Sequence, residues 1–399
     1  MVKKWKLALV NRIFLVVLVV AVSLMAVCPA ATPKAPTEFI MCALPSGSVG
    51  YIMMMGIGKA VKEKAGVPLR LIPGGPDIAR LMPTLRGTSH FSLLVGASTY
   101  HIAHGLGPTY SREEWGPQPI RVVWDGTPGG SGMITRGDAG IRTLADLKGK
   151  RIGVVPGHPM FEKDPWSSHA AVLAFANLTW NDVKAVPVSS STAGWKAILE
   201  GAADSMLLST SASKAYEIAA SKHGIWYAPF PHKDKAGWQR LQKIAPYISP
   251  RVIDVGAGPQ WEGGKTFDGV DFAYSIIAYP FLNEDIAYRF VKAVWEGFDL
   301  YKDAHPELKY WNHERTTDYK RLVHPYHEGA IKFFKEVGVW TTDMENWQKR
   351  QVELEKAREM AWEKAKAEAG KQKIKLSTPK FNDFWRKWLT ENNLISYPE

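Results

Sequence analysis

The amino-acid sequence predicts an α/β fold of two similar lobes, each a mixed sheet covered by helices, followed by a helical C-terminal extension. Three observations support this prediction. Short apolar segments alternate with helical ones from Phe39 to Ala220, and short connections between them are typical of a sheet covered on both faces. A glycine-rich bridge, Thr127 to Gly132, interrupts the alternation, which then restarts. The last third of the chain is helical in pattern and rich in aromatic residues.

Length and composition agree with a folded chain of this size. The 399 residues suggest two domains, and 46% hydrophobic with 22% charged residues excludes a disordered chain. The net charge of +11 points first to an acidic partner such as nucleic acid.

The N-terminal segment has the layout of a secretory signal peptide, which we place at residues 1–31. An apolar run from Ile13 to Val27 precedes small residues that end at Ala31. An uncleaved membrane anchor is an alternative, and lipid modification of Cys28 is another that the bulky Val27 disfavours. We therefore expect an exported protein. The basic residues ahead of the run are Lys3, Lys4, Lys6 and Arg12.

Removing this segment leaves 46 basic and 39 acidic side chains, a net charge of +7. The basic residues are spread along the chain and accompanied by acidic ones, whereas nucleic-acid binding concentrates positive charge on one element. A nucleic-acid partner is therefore not expected. Cys42 would be the single cysteine left, so neither an intrachain disulfide nor a cysteine metal cluster is expected.

The first lobe begins with three predicted strands, each followed by a helix. Apolar segments of five or six residues predict the strands, and helical spacing of apolar residues predicts the helices. The predicted strands are Phe39 to Leu44, Pro68 to Ile72 and Phe91 to Val95, and the predicted helices are Tyr51 to Lys64, Ile78 to Arg86 and Ala97 to His104.

The second lobe repeats the pattern, with strands at Arg151 to Val155, Val183 to Val188 and Ser205 to Leu208. A single strand-like segment, Val270 to Tyr279, is expected to return the chain to the first lobe. The predicted domains are 37–135 with 271–340 for lobe 1, 136–270 for lobe 2, and 341–399 for the helical extension.

Enzymatic motifs are incomplete. The sequence Ser46-Gly47-Ser48-Val49-Gly50 lacks the first glycine of a nucleophile elbow, and Gly264-Lys265-Thr266 lacks the upstream glycine of a phosphate-binding loop. Histidine pairs at 101 and 104 and at 324 and 327 have no further metal ligands nearby in sequence. No cofactor and no metal are expected.

The strand-to-helix loops remain as the candidate site. Open α/β sheets bind ligands at the carboxyl ends of their strands, where free backbone N–H groups at a helix N-terminus favour anions. Three such loops precede predicted helices: Ser46 to Gly50, Gly74 to Asp77, and Gly157 with His158. Trp124, Trp166 and Trp195 lie at or beside these loops, and they would suit a solute with a flat or apolar part.

An ordered set of segments resembles the TAXI group of TRAP-transporter solute-binding proteins, over roughly Phe39 to Trp340. These segments are Ser46 to Tyr51 with Gly56; Pro73 to Asp77 with Leu85-Arg86-Gly87; Gly140 to Val154; Leu199 to Asp204; and His327 to Ala330 with Lys335 to Trp340. The sequence departs from the group's pattern at Ile52 to Met54, at Pro76 and Ala79, and after His158.

The resemblance implies a periplasmic binding protein fold that closes over a small organic solute, commonly a carboxylate or amino acid, and delivers it to TRAP membrane permease subunits. We expect a monomeric, non-enzymatic protein; an exported α/β enzyme such as an esterase or lyase, and a sensor component, are the alternatives. With the tryptophans added, the expected ligand-binding residues are Ser46, Gly47, Ser48, Gly50, Tyr51, Gly75, Asp77, Trp124, Gly157, His158, Trp195, Ser209 and Thr210.

Overall fold

Two β-sheets organise the chain in this computed structural model, which describes residues 36–127 and 130–397. The predicted signal segment, 1–31, lies outside the described residues. The strands are β1 (Phe39–Ala43), β2 (Leu69–Pro73), β3 (Phe91–Val95), β4 (Arg121–Gly126), β5 (Ser131–Arg136), β6 (Arg151–Val154), β7 (Lys184–Pro187), β8 (Ser205–Ser209), β9 (Ile225–Ala228), β10 (Ser249–Ile253), β11 (Phe267–Asp271) and β12 (Tyr274–Ala278).

Helices cover both sheets. They are α1 (Val49–Ala65), α2 (Asp77–Leu85), α3 (Gly96–His104), α4 (Gly107–Tyr110), α5 (Ser168–Phe175), α6 (Ser191–Leu199), α7 (Ser213–Ala220), α8 (Lys235–Ile244), α9 (Glu284–Glu296), α10 (Phe298–Tyr301), α11 (His313–Thr317), α12 (Glu328–Glu336), α13 (Thr342–Lys371) and α14 (Pro379–Glu391). Within the described ranges, every helix is too short or too polar to cross a membrane.

Lobe 1 contains the sheet ordered β2-β1-β3-β12-β4. Strands β1, β2 and β3 are parallel, and β12 is antiparallel to both β3 and β4. The mixture follows from topology, because parallel neighbours need helical crossovers and β12 instead enters from the other lobe. Local sequence sets both ends of α1. The Ser48 side chain accepts a hydrogen bond from Tyr51 N at the start of the helix, and Gly66 ends the helix with φ of 67°.

Lobe 2 contains the sheet ordered β10-β11-β5-β8-β6-β7, with β9 paired to β5. β6 is parallel to β7 and β8, whereas β5 is antiparallel to β8. Each lobe is therefore a mixed sheet covered by helices, and the two-lobed α/β fold predicted from the sequence is confirmed.

The chain crosses between the lobes at two adjacent places. It leaves lobe 1 between β4 and β5 and returns between β11 and β12, where Val270 pairs with Ser131 and Tyr274 pairs with Gly126. The segment predicted as one strand, Val270 to Tyr279, therefore forms parts of two strands that belong to different sheets. The predicted boundary at 270 lies at the end of β11, whereas the predicted boundary at 135 lies at the end of β5, a strand of the lobe 2 sheet.

The C-terminal extension packs on lobe 1. Both guanidinium η-nitrogens of Arg121 in β4 bind the Glu355 carboxylate of α13, and Gln348 exchanges two hydrogen bonds with the backbone of Tyr326. Large aromatic side chains of α13 and α14 fill the contact, and burial of this much apolar surface explains why the extension is helical despite its many charges. The buried aromatics are Trp347, Trp362, Phe381 and Trp385.

Candidate functional site

A cavity of about 280 Å³ lies between the two lobes, at the carboxyl ends of several strands. Lobe 1 supplies the loop after β1 and the end of β3, while lobe 2 supplies the loop after β6 and the starts of α6 and α7. The lining includes Ser46, Gly47, Ser48, Ser131, His158, Met160, Phe161, Ser191, Thr192, Trp195, Ser209, Ser213, Lys214, Glu217, Phe272 and Tyr274.

Three helices begin at this cavity. α1 starts after Ser48, whose hydroxyl oxygen accepts from Tyr51 N at 3.2 Å, and α6 starts after Ser190, which accepts from Ala193 N at 3.1 Å. α7 starts at Ser213 without a side-chain cap. Each N-terminus brings unpaired backbone N–H groups and the positive end of a helix dipole. The cavity therefore offers hydrogen-bond donors from both lobes to an anionic or strongly accepting group.

Aromatic side chains form the apolar part of the cavity wall. Trp195 is 7% exposed and Phe161 is 6% exposed, so each presents little more than one face to the cavity. Phe272 and Tyr274 come from the crossing between β11 and β12, where their rings lie 6.2 Å apart. A solute with a flat or apolar portion would fit against this wall.

The cavity carries little uncompensated charge. Lys214 Nζ lies 2.7 Å from both carboxylate oxygens of Glu217 at its mouth. Burial lowers the pKa of His158, and the nearby Asp77 carboxylate opposes that shift, with His158 Nε2 at 3.8 Å from Asp77 Oδ1. The imidazole Nδ1 accepts from Met160 N at 3.3 Å. At neutral pH His158 is therefore an uncharged wall residue that also brings the two lobes into contact.

Six of the thirteen residues predicted for the site line this cavity. They come from the loops after β1 and β6, from α6 and from the end of β8, which the fold places around one opening. The six are Ser46, Gly47, Ser48, His158, Trp195 and Ser209.

Gly50, Tyr51 and Trp124 lie elsewhere in lobe 1. Gly50 packs in the core, since a Cβ there would come within 2.4 Å of the Leu44 side chain. Tyr51 is half-buried on α1, outside the cavity lining. Trp124 is fully buried in β4, edge-on to Trp295 with ring centroids 6.3 Å apart.

The loop after β2 folds back instead of entering the cavity. Arg80 donates to the Gly74 and Gly75 carbonyl oxygens at 3.0 and 2.7 Å and also binds the buried Asp77 carboxylate. Asp77 therefore contacts His158 from outside the cavity lining, and Gly75 is exposed to solvent.

Two further predicted residues have structural contacts. Gly157 has φ of 74°, and its carbonyl oxygen is 3.5 Å from the Thr109 hydroxyl of lobe 1. Thr210 is buried beside the cavity and donates to the Val255 carbonyl oxygen at 2.9 Å.

Some lining residues were not anticipated. Ser191 and Thr192 are the first residues of α6, after a fourth strand-to-helix connection, and the placement of ligands at the carboxyl ends of strands indicates this connection as well. Ser131 and Tyr274 enter the site only because the two lobe crossings lie side by side, and no local pattern in the sequence indicates that pairing.

Three of the four histidines in the two pairs have hydrogen-bond partners in the protein. His101 Nδ1 and His104 Nδ1 each lie 2.8 Å from the carbonyl oxygen four residues earlier in α3, and His327 caps α12 by accepting from Gly329 N. In the described part of the chain, no group of three or more His, Cys, Asp or Glu side chains is arranged to hold a metal ion.

Two α/β lobes joined by paired crossings, with a cavity between them, define the class of two-lobed solute-binding folds. The chain belongs to the NMT1-like family, whose profile matches residues 43–338. The match covers both lobes and ends before α13.

Solved solute-binding proteins are similar to the chain at low identity. An ancestral arginine-binding protein bound to arginine is 16% identical, with a TM-score of 0.40, and the match covers 69% of this chain and 98% of that one. The alkanesulfonate-binding protein SsuA from Xanthomonas axonopodis pv. citri, bound to MOPS, is 12% identical, with a TM-score of 0.39 and coverage of 79% and 84%. The periplasmic aliphatic sulphonate binding protein SsuA from Escherichia coli is 13% identical, with a TM-score of 0.38 and coverage of 78% and 97%.

Proposed function

We propose that this protein captures a small organic solute, a carboxylate or an amino-acid-like anion, in the cavity between its lobes. The observation that carries the proposal is the convergence of the α1, α6 and α7 N-termini on one opening, with α1 from lobe 1 and the other two from lobe 2. A solute held by donors from both lobes stabilises the arrangement in which the lobes meet, which is how two-lobed binding proteins close on their ligands.

The cavity favours a solute of limited size and charge. A volume of about 280 Å³ is near the lower end of ordinary ligand pockets. Because Lys214 is paired with Glu217, backbone N–H groups and serine hydroxyls supply most of the recognition of an acidic group. The aromatic wall formed with Trp195 would take the flat or apolar remainder of the molecule.

A binding role fits this site better than hydrolysis. The Ser48 hydroxyl oxygen serves as the cap of α1, and both ring nitrogens of His158 face other groups, Met160 N and the Asp77 carboxylate. A serine nucleophile needs a neighbouring base that is free to accept its proton. We therefore propose a non-enzymatic function.

We further propose that the chain is exported to the periplasm and delivers its solute to TRAP-type permease subunits. The ordered motifs that resemble the TAXI group support this partner, and the basic and apolar segment at residues 1–31 supports export. Proteoliposomes containing the permease should take up the solute when the loaded protein and an ion gradient are present, without ATP. Uptake that requires ATP hydrolysis would exclude a TRAP partner.

Solute capture is tested first by native mass spectrometry of gently purified full-length protein. We expect one small molecule at about one per chain, recovered chemically unaltered. A thermal-shift panel of organic acids, amino acids and alkanesulfonates should then include a stabilising compound, because a ligand that binds only the folded state raises its stability. Turnover of the recovered molecule would contradict the proposal.

The same assay tests the cavity wall. Trp195→Ala should weaken binding of the stabilising compound about tenfold or more, since it removes aromatic contact area from the cavity wall. Trp226→Ala is the matched control, because Trp226 lies in lobe 2 outside the cavity lining. Equal affinity in the two variants would remove Trp195 from the site.

A further inference from the structure

The loop from Pro156 to Ser167 in lobe 2 touches two different parts of the molecule. Its first half contributes His158, Met160 and Phe161 to the cavity wall. Its second half carries Trp166, which contacts α14 of the C-terminal extension. One short loop therefore links the candidate solute site to a pair of helices that lies beyond the family match.

The contact between Trp166 and α14 combines stacking with a hydrogen bond. The Arg386 guanidinium carbon lies 3.9 Å from the centre of the indole ring, and the indole Nε1 donates to Asp383 Oδ1 at 2.9 Å. Arg386 is only 7% exposed, so its stacking on the ring takes place largely away from water. Such a contact fixes both the position and the orientation of the loop.

The same helix is anchored to lobe 1 on its other side. The Trp385 indole nitrogen donates to the His104 carbonyl oxygen at 2.7 Å, and Asn382 Oδ1 accepts from Gly107 N at 2.9 Å. Phe381, Trp385 and Leu389 are fully buried at spacings of four residues, which places them on one helix face. α14 therefore packs its apolar face against Trp362 of α13, is hydrogen-bonded to lobe 1, and contacts lobe 2 through Asp383 and Arg386.

The two attachments differ in size. The side of α14 that faces α13 and lobe 1 buries several large apolar side chains, whereas its contact with lobe 2 is centred on Trp166 with Asp383 and Arg386. Stabilisation increases with the apolar area that is buried. The contact of α14 with lobe 2 is therefore the weaker of the two and the first to separate if the lobes move apart.

We propose that α13 and α14 form a strap that ties the Pro156–Ser167 loop to lobe 1 and favours the arrangement in which the lobes meet. Trp166, Asp383 and Arg386 are then positioning residues for the cavity wall, although none of them lines the cavity. The strap acts on the lobes and the loop whichever solute the cavity binds.

The test uses the full-length protein without solute. Amide hydrogen exchange of the loop and small-angle X-ray scattering would be measured for Trp166→Ala and Asp383→Ala. Each removes part of the contact, so we expect exchange in the loop to quicken about tenfold with Trp166→Ala and the radius of gyration to increase. Asp383→Ala should act in the same direction and is at an exposed position, so that variant should fold. Asp383→Asn keeps an oxygen acceptor and should behave like the natural protein.

Trp226→Ala is a matched control, because Trp226 makes the same two kinds of contact entirely within lobe 2. The Arg142 guanidinium carbon lies 4.9 Å from the centre of the Trp226 ring, and the indole nitrogen donates to the Arg142 carbonyl oxygen. It should leave both measurements unchanged. If amide exchange in the loop were as slow in both Trp166→Ala and Asp383→Ala as in the natural protein, the proposal would be overturned. Since no solute is used, the result stands apart from the solute-capture test.

Discussion

A buried carboxyl group stands at the boundary between the lobes. Glu162 is 6% exposed in the lobe 2 loop, and a Cβ on Gly107 of lobe 1 would come within 3.6 Å of its Oε1. Burial raises the pKa of Glu162 to about 8, with the Asp164 and Asp77 carboxylates adding to the shift and the Gly157 backbone opposing it. Glu162 is therefore mostly protonated at neutral pH.

This raised pKa makes stability depend on pH. The stability that Glu162 contributes is present at acidic pH and falls as the pH rises from near the ordinary glutamate value through about 8. Glu162→Gln removes the ionisation. Relative to the natural protein, the free energy of unfolding of the variant should therefore increase by about 1 kcal/mol or more between pH 6 and pH 9. Urea unfolding at several pH values measures this difference. Parallel pH profiles for the two proteins would contradict the assignment.

At the residue scale, the sequence predicted part of the site for a clear reason. Ser46, Ser48 and His158 follow strands, and strand ends converge at one edge of a sheet wherever the helices cross over. Trp124 and Trp195 were equivalent as tryptophans near predicted loops. The face on which each side chain points depends on packing, which directs Trp124 into the lobe 1 core and Trp195 to the cavity.

At the element scale, periodicity predicted most strands and helices of the alternating region. Phe91–Val95 has the bounds expected from the sequence. The segment from Val270 to Tyr279 was misread as one strand because its apolar character continues through Phe272 and Ala273, where the chain changes sheet. Apolar content alone cannot reveal such a change, since both strands are buried.

The longest helix among the described residues, α13, closely approaches lobe 1. Gly116 has φ of 70°, and a Cβ there would lie 2.5 Å from Trp362 Nε1 of that helix. Only glycine satisfies both the backbone conformation and the contact.

Gly116→Ala should therefore lower the free energy of unfolding by roughly 2 kcal/mol or more. This loss exceeds the loss expected from backbone strain alone. Gly149→Ala is the matched control, because Gly149 has φ of 77° and nothing within 4 Å of a built Cβ. Urea unfolding of both variants separates the steric cost from the conformational one. Equal losses would mean that Trp362 moves aside freely.

At the scale of the whole molecule, a buried ion network joins the lobes where the chain crosses. Asp271, at the end of β11, accepts from the Thr127 hydroxyl at 2.5 Å and from Arg315 Nη2 at 2.5 Å. Arg321 and Arg251 approach the same carboxylate at 3.3 and 3.6 Å. Arg315 and Arg321 belong to the segment beside β4 of lobe 1, whereas Asp271 and Arg251 belong to the lobe 2 sheet.

Asp271→Asn should destabilise the protein by roughly 2–3 kcal/mol, because it leaves partly buried guanidinium groups without their shared counter-ion. The arginine side chains retain between 13% and 20% exposure, so the cost should stay below that of a fully buried pair. Asp299→Asn is the control, since its pairing with Lys302 is on the surface and its loss should change little. Urea unfolding measures both variants. If Asp271→Asn and Asp299→Asn lowered the free energy of unfolding equally, the crossing would be held by its strand pairing alone. The ion network would then not stabilise the contact between the lobes.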